Sequence, residues 1–268
     1  MRGIAPLLGQ TVSRVIIRHP TLRWPIPSHL SETLPQASLT KLTRRAKYIL
    51  AEFSHLEGQH LGTLILHLGM SGRICLLAQD EVAAKHDHFD IHFTDGKVLR
   101  LRDPRRFGAV LWVGSHESVE EYPLIKSLGP EPLERGFTGE HLYRQLRNKT
   151  AAIKIAIMDS HLVVGVGNIY ASESLFRARV NPKTPANKVS KAKCELLVAE
   201  IKATLAAAIE AGGSSLRDFF GADGNPGYFQ QTYFVYARTD QPCRECGAPI
   251  SQIKQGQRST FYCAECQR

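Results

Sequence analysis

The chain has 268 residues and lacks any apolar run near the roughly 18 that a membrane crossing needs, so no membrane partner is expected. Its opening, Met1-Arg2-Gly3-Ile4-Ala5-Pro6, has no apolar core ending in small residues. A secretory leader is therefore not expected, and cytoplasmic residence is the default. No internal repeat and no low-complexity tract is present, which sets aside repeat-built architectures. Cysteine is scarce outside one place. Of six, Cys75 and Cys194 stand alone and read as buried fillers, while four form two C-x-x-C pairs near the C-terminus. In a reducing compartment such pairs point to a metal site before disulfides. Acidic charge is short: 25 Asp and Glu against 34 Lys and Arg leave a net charge of +9. That surplus favours a polyanionic partner such as nucleic acid, although a basic surface alone would also account for it.

What is present is an ordinary globular balance, 43% hydrophobic and 22% charged, in a chain long enough for two or three units. Residues 11 to about 113 read as strands. Thr11–Ile17 and Gly62–Leu68 are β-branched or apolar runs, and His88–Phe93 alternates polar with apolar. The turn Thr94-Asp95-Gly96 leads into Lys97–Leu101, a hairpin signature, and Phe107–Val113 closes the set. An antiparallel β-sandwich over residues 1–121 follows. Residues 122–138, which include Leu128-Gly129-Pro130-Glu131-Pro132, are rich in turn formers and read as a linker. Beyond them the period becomes helical over about 139–158, 168–178 and 189–211, with Gly212-Gly213 as a stop. Residues 139–228 are expected to form a helical domain, with a loop at 221–228, and 229–268 a separate cysteine module. The fold class is α+β multidomain.

Cys243-x-x-Cys246 and Cys263-x-x-Cys266 are separated by sixteen residues. Each pair sets two thiolates on one tight knuckle, and two knuckles complete a tetrahedral shell for one structural Zn2+. The spacing suits a β-hairpin carrying Gln257-Arg258-Ser259-Thr260 near its tip. A redox dithiol or a ribbon for protein contacts are the competing readings.

Six segments agree on one family. They are Arg44-Arg45-Ala46-Lys47-Tyr48, His67-Leu68-Gly69-Met70-Ser71-Gly72, Lys85-His86-Asp87-His88, Asp103-Pro104-Arg105-Arg106-Phe107-Gly108, Val163–Glu173 and Gln257–Cys263. Taken in order, they resemble the formamidopyrimidine-DNA glycosylases over residues 2–268. The resemblance implies a β-sandwich, a helix–two-turns–helix domain and a zinc ribbon. It also implies a monomer that bends double-stranded DNA, flips out an oxidised purine, removes it, and cleaves the abasic strand by β,δ-elimination. Endonuclease VIII, which prefers oxidised pyrimidines, shares the last two modules, but the segments at 67–72 and 103–107 look like the purine branch.

By that resemblance Met70, Arg105 and Phe107 fill the space a flipped base vacates: an apolar plug, a bidentate donor and an aromatic wedge. Taken alone, Met70 and Phe107 read as core packing and Arg105 as a surface ion pair. Gly165-Val166-Gly167-Asn168 lies between helical segments. Its glycines permit positive φ, and Asn168 is expected to cap the next helix and donate to a DNA phosphate. Lys47 is implied in β-elimination, with a solvated basic cluster as the alternative. Arg258 is implied in DNA clamping and δ-elimination, where electrostatic stabilisation suits so strong a base. His86 and Lys149 map onto DNA contacts, although an extra residue near 149 lets Thr150 compete for that position, and Lys154 maps onto a lysine near the lesion. Residues 214–228, with Phe219, Phe220 and Tyr228, correspond to a loop over the flipped base.

The resemblance further implies an N-terminal Pro-Glu-Leu-Pro-Glu-Val-Glu, whose proline amine attacks C1′ while the glutamate acts as acid. The sequence begins downstream of that segment, and neither Pro6 nor Glu32 is a free α-amino nucleophile. The bulk of Arg2 keeps Met1 in place. Two explanations are open: a start placed too far downstream, or a shortened product that binds lesions or abasic sites without excising. An RNA- or protein-binding zinc-ribbon factor is the remaining alternative.

Overall fold

A computed structural model describes residues 2–79, 81–211 and 233–268. The expected stop at Gly212-Gly213 and the loop at 214–228 lie outside the described residues. The chain divides into two compact units, one running to Lys126 and the other beginning at Ser127.

The first unit is a sandwich of two antiparallel four-stranded sheets with a short helix, α1 (Leu30–Thr33). One has the order β1-β6-β7-β5, from β1 (Val12–Ile17), β5 (Arg73–Ala78), β6 (Asp87–Phe93) and β7 (Lys97–Arg102). The other has the order β2-β3-β4-β8, from β2 (Ser38–Arg45), β3 (Tyr48–Ser54), β4 (His60–His67) and β8 (Ala109–Gly114). Alternation decides which side chains meet inside. Phe89, Ile91 and Phe93 of β6 join Leu64, Leu66 and Val110 of the other sheet in one core. On the opposite face of β6, Asp90 is buried but held by Arg100 and Arg18. The expected 94–96 turn forms, with Gly96 at φ +82° and the Lys97 amide bonded to Asp95.

In the second unit, α3 (Gly139–Leu146) is capped by Thr138, whose hydroxyl accepts from the His141 amide. The single helix expected over 139–158 is two pieces, α3 and a short α4 (Ile153–Ile157). The break has a plain cause. The Ile153 amide bonds to Thr184 O and the Ala186 amide to Ala151 O, so this backbone pairs across the chain. Next come α5 (Asn168–Arg177) and α6 (Lys191–Glu210), the latter capped by Ser190. The segment read as a linker is ordered at both ends. Helix α2 (Pro123–Lys126) belongs to the first unit, while Gly129 and Pro130 bond to Ser160 and Val164 in the second.

The ribbon is a hairpin of β9 (Ile250–Gln255) and β10 (Arg258–Cys263). Its turn is Gly256-Gln257, with φ of +51° and +64°, the pair of left-handed residues that a two-residue hairpin demands. It is not a separate body. Phe176 of α5 packs with Val235, Ile250, Phe261 and Cys263 in one cluster. Glu173 of α5, buried, accepts the successive amides of Phe234, Val235 and Tyr236.

Candidate nucleic-acid interface

In the first unit, pairing of His67 with Ala109 sets the loop after β4 beside the loop before β8. Asp103, fully buried, locks them together. One carboxylate oxygen accepts from Ser71 Oγ at 3.0 Å and the Arg105 amide at 3.3 Å, and the other from the Gly108 amide at 2.7 Å. Three glycines permit the approach. A Cβ on Gly69, at φ +63°, would sit 2.6 Å from the Phe107 carbonyl carbon, one on Gly72 2.3 Å from Leu68 O, and one on Gly108 2.7 Å from His67 O. The product is a rigid tip that displays what a solvated protein normally hides. Met70 is 58% exposed and Phe107 48%. Arg105 Nε donates to Ser71 Oγ at 3.2 Å, and its guanidinium lies 5.6 Å from the Phe107 ring centroid. The core reading of Met70 and Phe107 therefore fails, and among the described residues no carboxylate forms an ion pair with Arg105.

Lys47 occupies the two-residue turn between β2 and β3, after Ala46 at φ +54°, and is exposed. The ring of its neighbour Tyr48 lies 5.1 Å from that of His67. Burial first, and then the Lys47 charge, hold the His67 imidazole below its ordinary value. His67 Nδ1 accepts the Gly69 amide, which assigns the proton to Nε2. His86 is half-buried, and its carbonyl accepts the Asp103 amide.

In the second unit, Gly165 adopts φ +81°, whereas Gly167 is extended at φ −82° and is itself the N-cap of α5. Asn168 is thus the first helical residue and caps nothing: its Nδ2 donates to Ser259 O at 3.0 Å, and its Oδ1 accepts from Lys154 Nζ at 2.5 Å. Lys154, expected beside the lesion, is 0% exposed. Its ammonium also donates to Ser259 O at 3.0 Å and Thr260 Oγ1 at 2.7 Å. Three hydrogens thus meet three acceptors in the interior, and none is left for a lesion. Burial, and then the Arg258 charge, push its pKa down to about 8. Arg258 itself is exposed at the start of β10. A cavity of about 570 Å³ is lined in part by Lys149, Thr150, Ile155, Asp159, Gly256 and Arg258. Lys149 stands 3.4 Å from Asp159 across it.

The sulfurs of Cys243, Cys246, Cys263 and Cys266 lie within 4.8 Å of one another. Two edges, Cys243–Cys266 and Cys246–Cys263, measure 3.9 and 3.4 Å. A tetrahedral shell with Zn–S near 2.3 Å has edges of about 3.8 Å, so the set fits zinc. Burial and the neighbouring thiols Cys246 and Cys263 push Cys266 up to about 12, so these sulfurs ionise together only around a cation. Gln267, buried, anchors the second knuckle: its Oε1 accepts the Cys263 amide and its Nε2 donates to Val180 O.

Asp103, Glu173 and Gln267 sit inside or beside the quoted motifs, yet nothing in the sequence marks their roles. Their partners become neighbours only through the fold.

Three family models match in order: the formamidopyrimidine-DNA glycosylase N-terminal domain over residues 1–110, its H2TH domain over 128–220, and a zinc finger found in FPG and IleRS over 240–268. The formamidopyrimidine-DNA glycosylase of Methylobacillus flagellatus is 61% identical over 267 residues, covering 100% of this chain and 93% of that protein. That of Pseudomonas syringae is 51% identical over 268 residues, covering 100% and 96%. The solved complex of Lactococcus lactis Fpg with abasic-site DNA matches with a TM-score of 0.88 at 31% identity, covering 100% and 96%. On all three grounds the chain belongs to the formamidopyrimidine-DNA glycosylase family.

Proposed function

We infer that the protein is a base-excision repair glycosylase and AP lyase. It acts on oxidised purines (8-oxoguanine and formamidopyrimidines) in double-stranded DNA, as a cytoplasmic monomer with one structural Zn2+. The observation that carries this reading is the tip of the first unit, where Met70 and Phe107 stay in water on a backbone locked by buried Asp103. A base cannot be attacked inside the stack, and extruding it costs a few kcal/mol. Met70 and Phe107 offset that cost by occupying the gap, and Arg105 offers two donors to the orphaned partner base.

The second unit supplies the grip on the backbone. The first amides of α5 have no intrahelical partner, and the helix dipole adds positive potential there. Nothing stands within 4 Å of where a Gly167 Cβ would be, and its φ suits any residue. Among the described residues no contact calls for glycine at that position, whereas close approach of a phosphate does. Arg258 clamps a phosphate and stabilises the charge that develops in δ-elimination, Lys47 serves β-elimination, and His86 and Lys149 contact the DNA. The domain reading is a sandwich at 1–121, a helical domain at 139–228 and the ribbon at 229–268. The last two are built as one body through Phe176 and Glu173.

Recognition without excision is the second reading: gripping a damaged site needs only the exposed tip and the phosphate donors, whereas base removal also needs an amine nucleophile. Activity on oxidised pyrimidines is a third: the Lactococcus lactis relative has also been solved with oxidised-pyrimidine DNA. Borohydride trapping on 8-oxoguanine:cytosine and abasic duplexes separates the first two. A trapped complex means that an amine of this chain forms the Schiff base. Damage-selective binding without trapping means recognition alone. Equal binding to intact duplex overturns both.

A further inference from the structure

We propose that Lys154 is a positioning residue: from inside the protein it fixes which face of the Asn168 amide is offered to a DNA phosphate, and it backs that phosphate with a buried positive charge. The inference rests on the phosphate-binding reading of the α5 N-terminus.

An ammonium has donors and no acceptor, so the Asn168 atom at 2.5 Å from Lys154 Nζ must be oxygen. A flipped amide would aim its NH2 at NH3+. Lys154 therefore removes the ambiguity that an asparagine otherwise carries. With Oδ1 committed to Lys154 and one Nδ2 hydrogen on Ser259 O, a single Nδ2 hydrogen remains for an external acceptor. That hydrogen lies at the start of α5, where the helix dipole adds positive potential that suits an oxyanion. Lys154 also ties together three pieces distant in sequence, α4, the start of α5 and β10, at the strand residues that follow Arg258.

Burying a charge is costly unless it is paired or fully hydrogen-bonded. The three hydrogen bonds favour the ammonium, whereas burial and Arg258, the charged group that faces it from β10, oppose it and leave it titrating at about 8. Its other partners, Asn168, Ser259 and Thr260, do not titrate. An arriving phosphate favours the protonated form, so binding takes up a proton wherever the free amine is neutral. Affinity should then fall as pH rises through this pKa, in a range where histidines are already neutral and exposed lysines are still charged.

The experiment measures affinity of the full chain for an abasic duplex with wild type, Lys154→Met, Asn168→Ala and the double variant, together with melting temperature and zinc content. Each single change should weaken binding about tenfold, as for loss of a charge-assisted hydrogen bond, and the double variant should be little worse than either. Between about pH 7 and about pH 9.5 wild-type affinity should fall, with proton uptake read from the buffer dependence of the binding enthalpy. Lys154→Met should lose that dependence. Additive losses, or a wild-type pH profile that is flat, overturn the positioning role. The profile needs no variant, so it decides even if Lys154→Met fails to fold. If Asn168→Ala binds like wild type while wild-type binding is tight, the phosphate-site reading fails instead.

Discussion

The tip of the first unit and the α5 terminus of the second are both organised by one buried charged side chain, and they use it in opposite ways. Asp103 accepts backbone and hydroxyl donors so that Met70, Arg105 and Phe107 can project outward. Lys154 donates to three acceptors inside the protein so that very little projects, only an oriented amide and the start of a helix. The first arrangement suits penetration of a base stack, where bulk must enter. The second suits a phosphate, which comes to the protein surface and needs oriented donors more than bulk. A residue's type and motif therefore do not reveal whether it touches the ligand or holds the residue that does.

Four perturbations break or sharpen this contrast. Removing zinc, or Cys263→Ser, should have the largest effect, since structural zinc sites supply roughly 10–16 kcal/mol to comparable modules. Because the ribbon shares its core with Phe176, loss should spread into the α5 terminus. Thermal unfolding with chelator should show the second unit melting early while the sandwich persists, and unchanged DNA binding in chelator would contradict this. Asp103→Ala should follow, destabilising the sandwich by roughly 2–4 kcal/mol through its orphaned buried donors, as read by denaturant unfolding. Arg105→Ala should leave stability unchanged and weaken lesion-duplex binding by about 1–3 kcal/mol, the value of a bidentate base contact. Equal titration curves for mutant and parent would sink its role. Lys149→Ala should be smallest, reducing the slope of log affinity against log salt by about one with little change in damage preference.

Much of the molecule was legible before the structure. The strands follow from β-branched or apolar runs and from the alternation at 88–93, the hairpin at 88–101 from its Asp-Gly turn, and the zinc site from two knuckles at fixed spacing. The exposed tip was legible only as a motif, because the lock that makes it rigid joins Asp103 to Ser71 across a strand pair. Three expectations differ from the structure for the same reason. The helix expected over 139–158 breaks because the backbone of residues 151–153 finds partners at 184–186. The resemblance puts Lys154 near the lesion, yet its side chain is buried and two of its acceptors lie 105 and 106 residues away. Asn168 shared that fate, its amide held by β10 instead of capping its own helix.

The most direct test of the account is the affinity of residues 1–268 for three duplexes of equal length: 8-oxoguanine:cytosine, abasic and intact. Binding to both damaged duplexes should be tighter, by at least about tenfold, because a weakened stack lowers the cost of extrusion that Met70 and Phe107 offset. That margin should shrink in Arg105→Ala. Equal affinity for all three duplexes would contradict it, and would leave the exposed tip of the first unit without the role assigned to it.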